Sequence, residues 1–129
     1  MNGARWVQQE LLGPRGKARL RVYAVWFNIF PGDSRQGWRP DLLTDSRVMQ
    51  YWDEPRSVGR FYYQSLPQIW QMRAPETVPP QETTLWDAYL LYGPQARWDE
   101  QPRDLVSWGS TILLTRNSLS RDLEEALKE

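Results

Sequence analysis

The stretch Leu20-Arg21-Val22-Tyr23-Ala24-Val25-Trp26-Phe27-Asn28-Ile29-Phe30 decides the fold class. It is nearly continuous in apolar residues and rich in β-branched and aromatic side chains. A strand of this kind is buried on both faces, as in the middle of an α/β sheet. Pro31-Gly32-Asp33-Ser34 stops it. On its N-terminal side, Gly3 to Leu12 reads as a helix, with Ala4, Val7 and Leu11 on one face and Gly13-Pro14 as the terminator. No strand-like segment precedes that helix.

Beyond the turn, a short helix or turn is expected around Leu42-Leu43, within 37–45. A second strand is expected at Val48-Met49-Gln50-Tyr51-Trp52. Asp53 has the character of an N-cap, and Pro55 suits the first helical turn, where a missing N–H is harmless. The spacing of Val58, Phe61, Tyr62 and Leu66 continues that helix to about Leu66. Residues 67–84, with Pro75, Pro79 and Pro80, form an irregular Pro-rich loop. Leu85 to Tyr92 is a strand closed by Gly93-Pro94, and Leu105 to Leu114 is a second. Together they read as a hairpin with a long connection. A last helix begins near Asn117 or Ser118 and repeats Leu119, Leu123 and Leu127. The order α-β-(α)-β-α-β-β-α predicts an α/β sheet, parallel at first and antiparallel later. The 129 residues suit a single domain, 1–129.

Composition excludes whole classes of chemistry. The chain has no cysteine, so it has no disulfide, thiolate nucleophile or Cys-metal site. It has no histidine, so it lacks the usual general base near neutrality and the commonest metal ligand. No metal and no cofactor are implied. Sixteen basic and sixteen acidic residues give zero net charge, so no nucleic-acid or lipid partner is expected. The basic residues are nearly all arginine, with Lys17 and Lys128 the two lysines. Genome composition is the expected reason. No apolar run approaches the ~18 residues of a membrane span, and Met1 to Trp6 does not read as a signal peptide, so a cytoplasmic product is expected.

Candidate contact residues follow from position. Asp33 and Ser34 follow the long strand at its carboxyl end, where open α/β sheets bind ligands; as Pro-Gly-Asp-Ser they also read as a plain turn. Asp53 and Asp87 each follow a tryptophan and could pair as acid and base, but Asp53 is better read as a cap and Asp87 as an exposed or Arg-paired strand residue. Of eight tryptophans, Trp38, Trp70 and Trp98 fall in expected loops, and with Trp6 they are the candidates for an aromatic partner surface. The competing reading for all of them is simple packing.

Three segments carry a family resemblance: Trp26-Phe27-Asn28-Ile29-Phe30-Pro31-Gly32-Asp33, Arg47-Val48 with Tyr51-Trp52-Asp53, and Trp86-Asp87-Ala88-Tyr89. With the element order, they make the chain resemble the thioredoxin-like superfamily, in its peroxiredoxin or TlpA-like branch, and a bacterial subgroup of it. The resemblance implies a three-layer sandwich whose mixed sheet ends in a β-hairpin and helix. Gly3-Ala4-Arg5-Trp6-Val7 resembles the residues just after the family's Cys-x-x-Cys motif. Three features depart from the family pattern. The Cys-x-x-Cys is absent, the strand before it is absent, and Thr83-Thr84-Leu85 stands where the family has a cis-proline, Pro80 being the nearest. The resemblance therefore implies a redox-inactive binding or structural module. Its alternative is a fragment of a thiol-disulfide oxidoreductase or peroxidase-like protein whose dithiol lies upstream of Met1.

In the family the missing strand is central, between the strands resembled by 20–30 and 85–92. Each buried, unpaired backbone group costs about 1–3 kcal/mol. Five would rival a typical net stability of about 5–15 kcal/mol. The gap must be filled by direct pairing of 20–30 with 85–92, by a strand from a protein partner or a homodimer, or by a segment outside this sequence. Direct pairing is the expectation for an isolated chain.

Overall fold

A computed structural model describes residues 2–28, 32–64, 85, 87–98 and 102–128. The fold is mixed α/β, built as two units, residues 1–58 and 59–129. No helix among the described residues is long and apolar enough to cross a membrane.

The first unit opens with α1 (Asn2–Trp6), which widens into a π-helical segment, Val7–Leu12. Leu11 and Leu12 are buried there. The expected helix 3–12 is present, but its second half is wound more loosely. A 3-10 turn, Gly13–Arg15, ends it at the expected Gly-Pro. Strand β1 (Val22–Trp26) pairs in parallel with β2 (Val48–Trp52), Val22 facing Val48 and Trp26 facing Trp52. The limits of β2 are those read from the sequence. Strand β1 is shorter than 20–30, and Ile29 and Phe30 lie outside the described residues.

The start of β1 has a side-chain cause. The Arg47 guanidinium donates to the carbonyls of Leu12, Arg15 and Ala18 at 3.1, 2.7 and 3.0 Å. Upstream of Val22, the chain therefore bonds to a side chain rather than to a strand. The ladder begins where the Val22 N–H donates to the Arg47 carbonyl. Asp45 holds the same guanidinium in a two-pronged pair, Oδ1 at 2.8 Å and Oδ2 at 2.7 Å. Such a planar fork is specific to arginine.

The hydrogen bonds from the Arg47 side chain and its backbone N–H lower the Asp45 pKa to about 2. A free aspartate titrates near 4. A depressed carboxylate contributes stability above the unfolded value and loses it as pH falls through the folded one. The melting temperature is therefore expected to carry the Asp45 contribution above about pH 4 and to lose it between about pH 4 and pH 2. Thermal melts of the chain and of Asp45→Asn across that window check this. The variant should be less stable at pH 7, and the difference should close towards pH 2.

Between the strands, the 3-10 turn Pro40–Leu42 matches the turn expected near Leu42. After β2, the Asp53 carboxylate accepts the Val58 N–H at 2.9 Å, but Asp53 is not at the expected N-cap position, because Arg56 immediately precedes the helix and Pro55 lies in a turn before it. The helix starts later than expected, because Asp53 to Arg56 forms a turn with Arg56 at φ 59°. That left-handed residue cannot continue a helix, so α2 is Ser57–Gln64. Leu66, the expected helix end, and all of the expected loop, 67–84, fall outside the described residues.

The second unit carries an antiparallel hairpin, β3 (Ala88–Trp98) and β4 (Pro102–Ser110). Gly93-Pro94 does not close β3 as expected. The register slips there instead, and the strand runs on. Gly93 makes this possible, since a Cβ would collide with the Asp104 carboxylate. Asp104 itself sits at φ 63°, and its Oδ2 accepts the Gln95 N–H at 3.1 Å. The hairpin thus extends well past the expected end of its first strand. Its second strand ends at Ser110 rather than Leu114.

Helix α3 (Arg116–Leu127) follows, with Thr115 at its N-cap position rather than Asn117 or Ser118. The Thr115 hydroxyl donates to the Thr111 carbonyl at 2.7 Å. Helix α3 packs on β3 and β4, burying Leu119 and Leu123 as their spacing predicted. Gly109 permits the approach, because a Cβ there would lie 2.6 Å from Thr115 Oγ1 and 2.7 Å from Tyr89.

Among the described residues the strand ladders formed are β1 with β2 and β3 with β4. The expected direct pairing of 20–30 with 85–92 is not among them. In the first unit the parallel neighbour β2 takes one edge of β1, and in the second the local hairpin takes β3.

Candidate functional site

The parallel pair ends at Trp26 and Trp52, and these carboxyl ends are where an open α/β sheet places its ligand site. Both indoles fall on the same side, since directly paired residues of neighbouring strands share a face. Trp38, from the 32–39 segment, reaches both. Its ring lies 6.3 Å from Trp26 and 5.9 Å from Trp52, tilted by 47° and 37°. These are favourable centroid separations for aromatic pairs.

Gln50 organises the same face. Its Oε1 accepts the Trp26 Nε1–H at 3.0 Å, while its Nε2 donates to the carbonyls of Pro40 and Leu43 at 2.8 and 3.1 Å. The 40–43 turn is thereby tied across the inner face of the pair. The Trp52 indole donates to the Glu54 carboxylate. Among the described residues two polar atoms are buried without a hydrogen-bond partner, the Trp38 Nε1–H donor and the Asn28 Oδ1 acceptor.

The residues singled out from the sequence are only partly brought together. Asp33, Ser34 and Trp38 share the 32–39 segment. Asp33 is exposed, while Ser34 Oγ accepts the Gly37 N–H at 3.1 Å, a turn function. Trp38, expected to be exposed, is half-buried and clustered, because two neighbouring strands offer it indole faces. Trp6 ends α1, half-buried, and makes no ring contact with the three clustered indoles. Asp87 belongs to the second unit. It is exposed in the bend before β3, not in a strand, at φ 48°, and its Oδ1 accepts the Ile112 N–H at 3.5 Å. Trp98 is the last residue of β3 rather than a loop residue, and its side chain lies outside the described residues, as does all of Trp70.

Trp26, Trp52, Gln50 and Asn28 were not named as candidates. A signal was available for two of them: Trp52 ends the second strand-like run and Gln50 is a lone amide within it, whereas Trp26 and Asn28 lie inside the longer run 20–30.

In the second unit a buried tyrosine, Tyr62, meets a half-buried one, Tyr92. The hydroxyls of Tyr62 on α2 and Tyr92 on β3 share a 2.6 Å hydrogen bond. Burial pushes both phenols above their ordinary range. Neutral at physiological pH, they fasten the two elements rather than exchange protons. No group of three or more potential metal ligands occurs among the described residues. Compared with known proteins, the chain matches no family model, no curated protein and no solved structure.

Proposed function

We propose that this chain is a redox-inactive module of thioredoxin-like descent that acts by binding rather than by turnover. The observation that carries the reading is the chemistry at the carboxyl ends of β1 and β2. Three indoles and an amide organise that site. An indole N–H only donates, and an amide does not titrate near neutrality. Neither can serve as nucleophile or general base, and the carboxylate beside them, Glu54, accepts the Trp52 indole N–H. With no thiol and no imidazole in the sequence, the usual catalytic groups for disulfide exchange are missing.

The element order supports the proposed descent. A parallel pair leads into α2, and an antiparallel hairpin follows, closed by α3. The test is dithiothreitol-driven reduction of insulin disulfides. The purified chain is expected to leave the rate at its protein-free value. A rate that rises with protein concentration would overturn the reading.

A further inference from the structure

The outer face of the β1–β2 pair is built unlike its inner face. Burial alternates from Ala18 onward: Ala18, Leu20 and Val22 are half-buried, while Arg19, Arg21 and Tyr23 are exposed. That alternation is the signature of extended chain with one face outward. Tyr23 stands directly across from Met49, and Val25 from Tyr51. Tyr23, Met49 and Tyr51 are 57%, 51% and 47% exposed. Tyr23, Val25, Met49 and Tyr51 thus share one face of the pair, and Arg19 and Arg21 precede it, exposed in the same alternation.

Parallel strands are normally covered on both faces; among the described residues Gln50 ties the 40–43 turn across the inner face, while Tyr23, Met49 and Tyr51 stand exposed on the outer. The composition is also that of the centre of a protein–protein interface, which is enriched in Tyr, Met and Arg and poor in carboxylates. Charge then selects the partner. Arg19 and Arg21 make no ion pair among the described residues, whereas Arg39 and Arg47 are each taken by an aspartate. Residues 1–58 carry nine cationic and six anionic side chains, against seven and ten in 59–129, so the local excess is positive although the whole chain is neutral.

The geometry points to the outer face of β1–β2 as a docking surface for an acidic, aromatic-bearing polypeptide segment of a partner protein. The two arginines take its carboxylates, and Tyr23, Met49 and Tyr51 take its apolar side chains. Two cations are few for a nucleic acid, whose binding rests on many phosphate contacts. The inference rests on the binding-module reading and gives it a partner class. The two fail separately, because insulin turnover overturns that reading without any bearing on this face.

A random glutamate–tyrosine copolymer is the probe, titrated into the full chain at low and high salt. Binding is expected, weakened by salt. Arg19→Glu with Arg21→Glu, and separately Tyr23→Ser with Tyr51→Ser, should each weaken it by roughly tenfold or more. Because all four side chains are exposed, thermal melts of both variants should match the parent. If the charge reversal unfolds the chain, Arg19→Gln with Arg21→Gln replaces it and should still weaken binding. Undiminished copolymer binding in these variants would overturn the proposal. So would tighter binding of an oligothymidylate than of the copolymer. A dimer in sedimentation that the same substitutions dissociate would also overturn it, by assigning the face to a second copy.

Discussion

Replacing Trp108 with alanine is expected to lower the free energy of unfolding by about 3–5 kcal/mol, the range for emptying a buried tryptophan site. Trp108 is 1% exposed, the largest of the fully buried side chains. It lies in β4 directly across from Leu90. Its strand neighbours Ser107, Gly109 and Ser110 are buried as well, so the surrounding backbone is held on both sides and has little room to collapse into the cavity. The corresponding fall in melting temperature is roughly 10–20 °C for a domain of this size. Val106→Ala is the control within the same strand. Val106 is 44% exposed, and the cost there should be about 0.5 kcal/mol or less. Chemical denaturation of the two variants gives the comparison, and equal costs would contradict the burial assigned to β4.

Leu12→Ala is expected to cost about 2–5 kcal/mol, the range for a buried leucine. The Leu12 side chain is fully buried, and its carbonyl accepts the Arg47 Nη2–H at 3.1 Å. Truncation therefore removes apolar volume at the point where the first helical segment is fastened to the start of β2. Leu12→Met keeps most of that volume and should cost less than about 1.5 kcal/mol. The informative measurement is hydrogen exchange beside denaturation. Protection of the β1 and β2 amides should fall in Leu12→Ala and persist in Leu12→Met.

How far the sequence could be read depended on whether a signal was local. Strand β2 was legible to the residue because apolar side chains run between a turn and Asp53. The burial of Leu119 and Leu123 followed from their spacing alone. The start of β1 was not legible, because it is set by Arg47 reaching carbonyls of residues 12, 15 and 18, a long-range contact with no local pattern. Strand β3 ran past Gly93-Pro94 because Asp104, on the neighbouring strand, fills the space that a side chain would need. The late start of α2 came from a left-handed Arg56, a conformation that a sequence rarely announces in a non-glycine residue.

The candidate site shows the same division. Trp38 was picked out as a loop tryptophan, and its loop position is where the structure places it. Its burial against Trp26 and Trp52 depends on two strands being parallel and adjacent, which periodicity alone cannot supply. The outer face was hidden for a similar reason. Arg21 and Tyr23 fall inside a run read as buried on both faces, and Tyr23 is instead 57% exposed, opposite Met49 on the neighbouring strand.

The measurement that bears most directly on an account in which this chain works by contact is a nuclear magnetic resonance titration. The isotope-labelled chain is titrated with the glutamate–tyrosine copolymer, and amide shifts are followed residue by residue. The account predicts perturbations gathered at residues 19–25 and 48–52, with the Tyr62 and Trp108 amides unmoved. Perturbations centred elsewhere, with Arg19, Arg21, Tyr23, Met49 and Tyr51 silent, would contradict it.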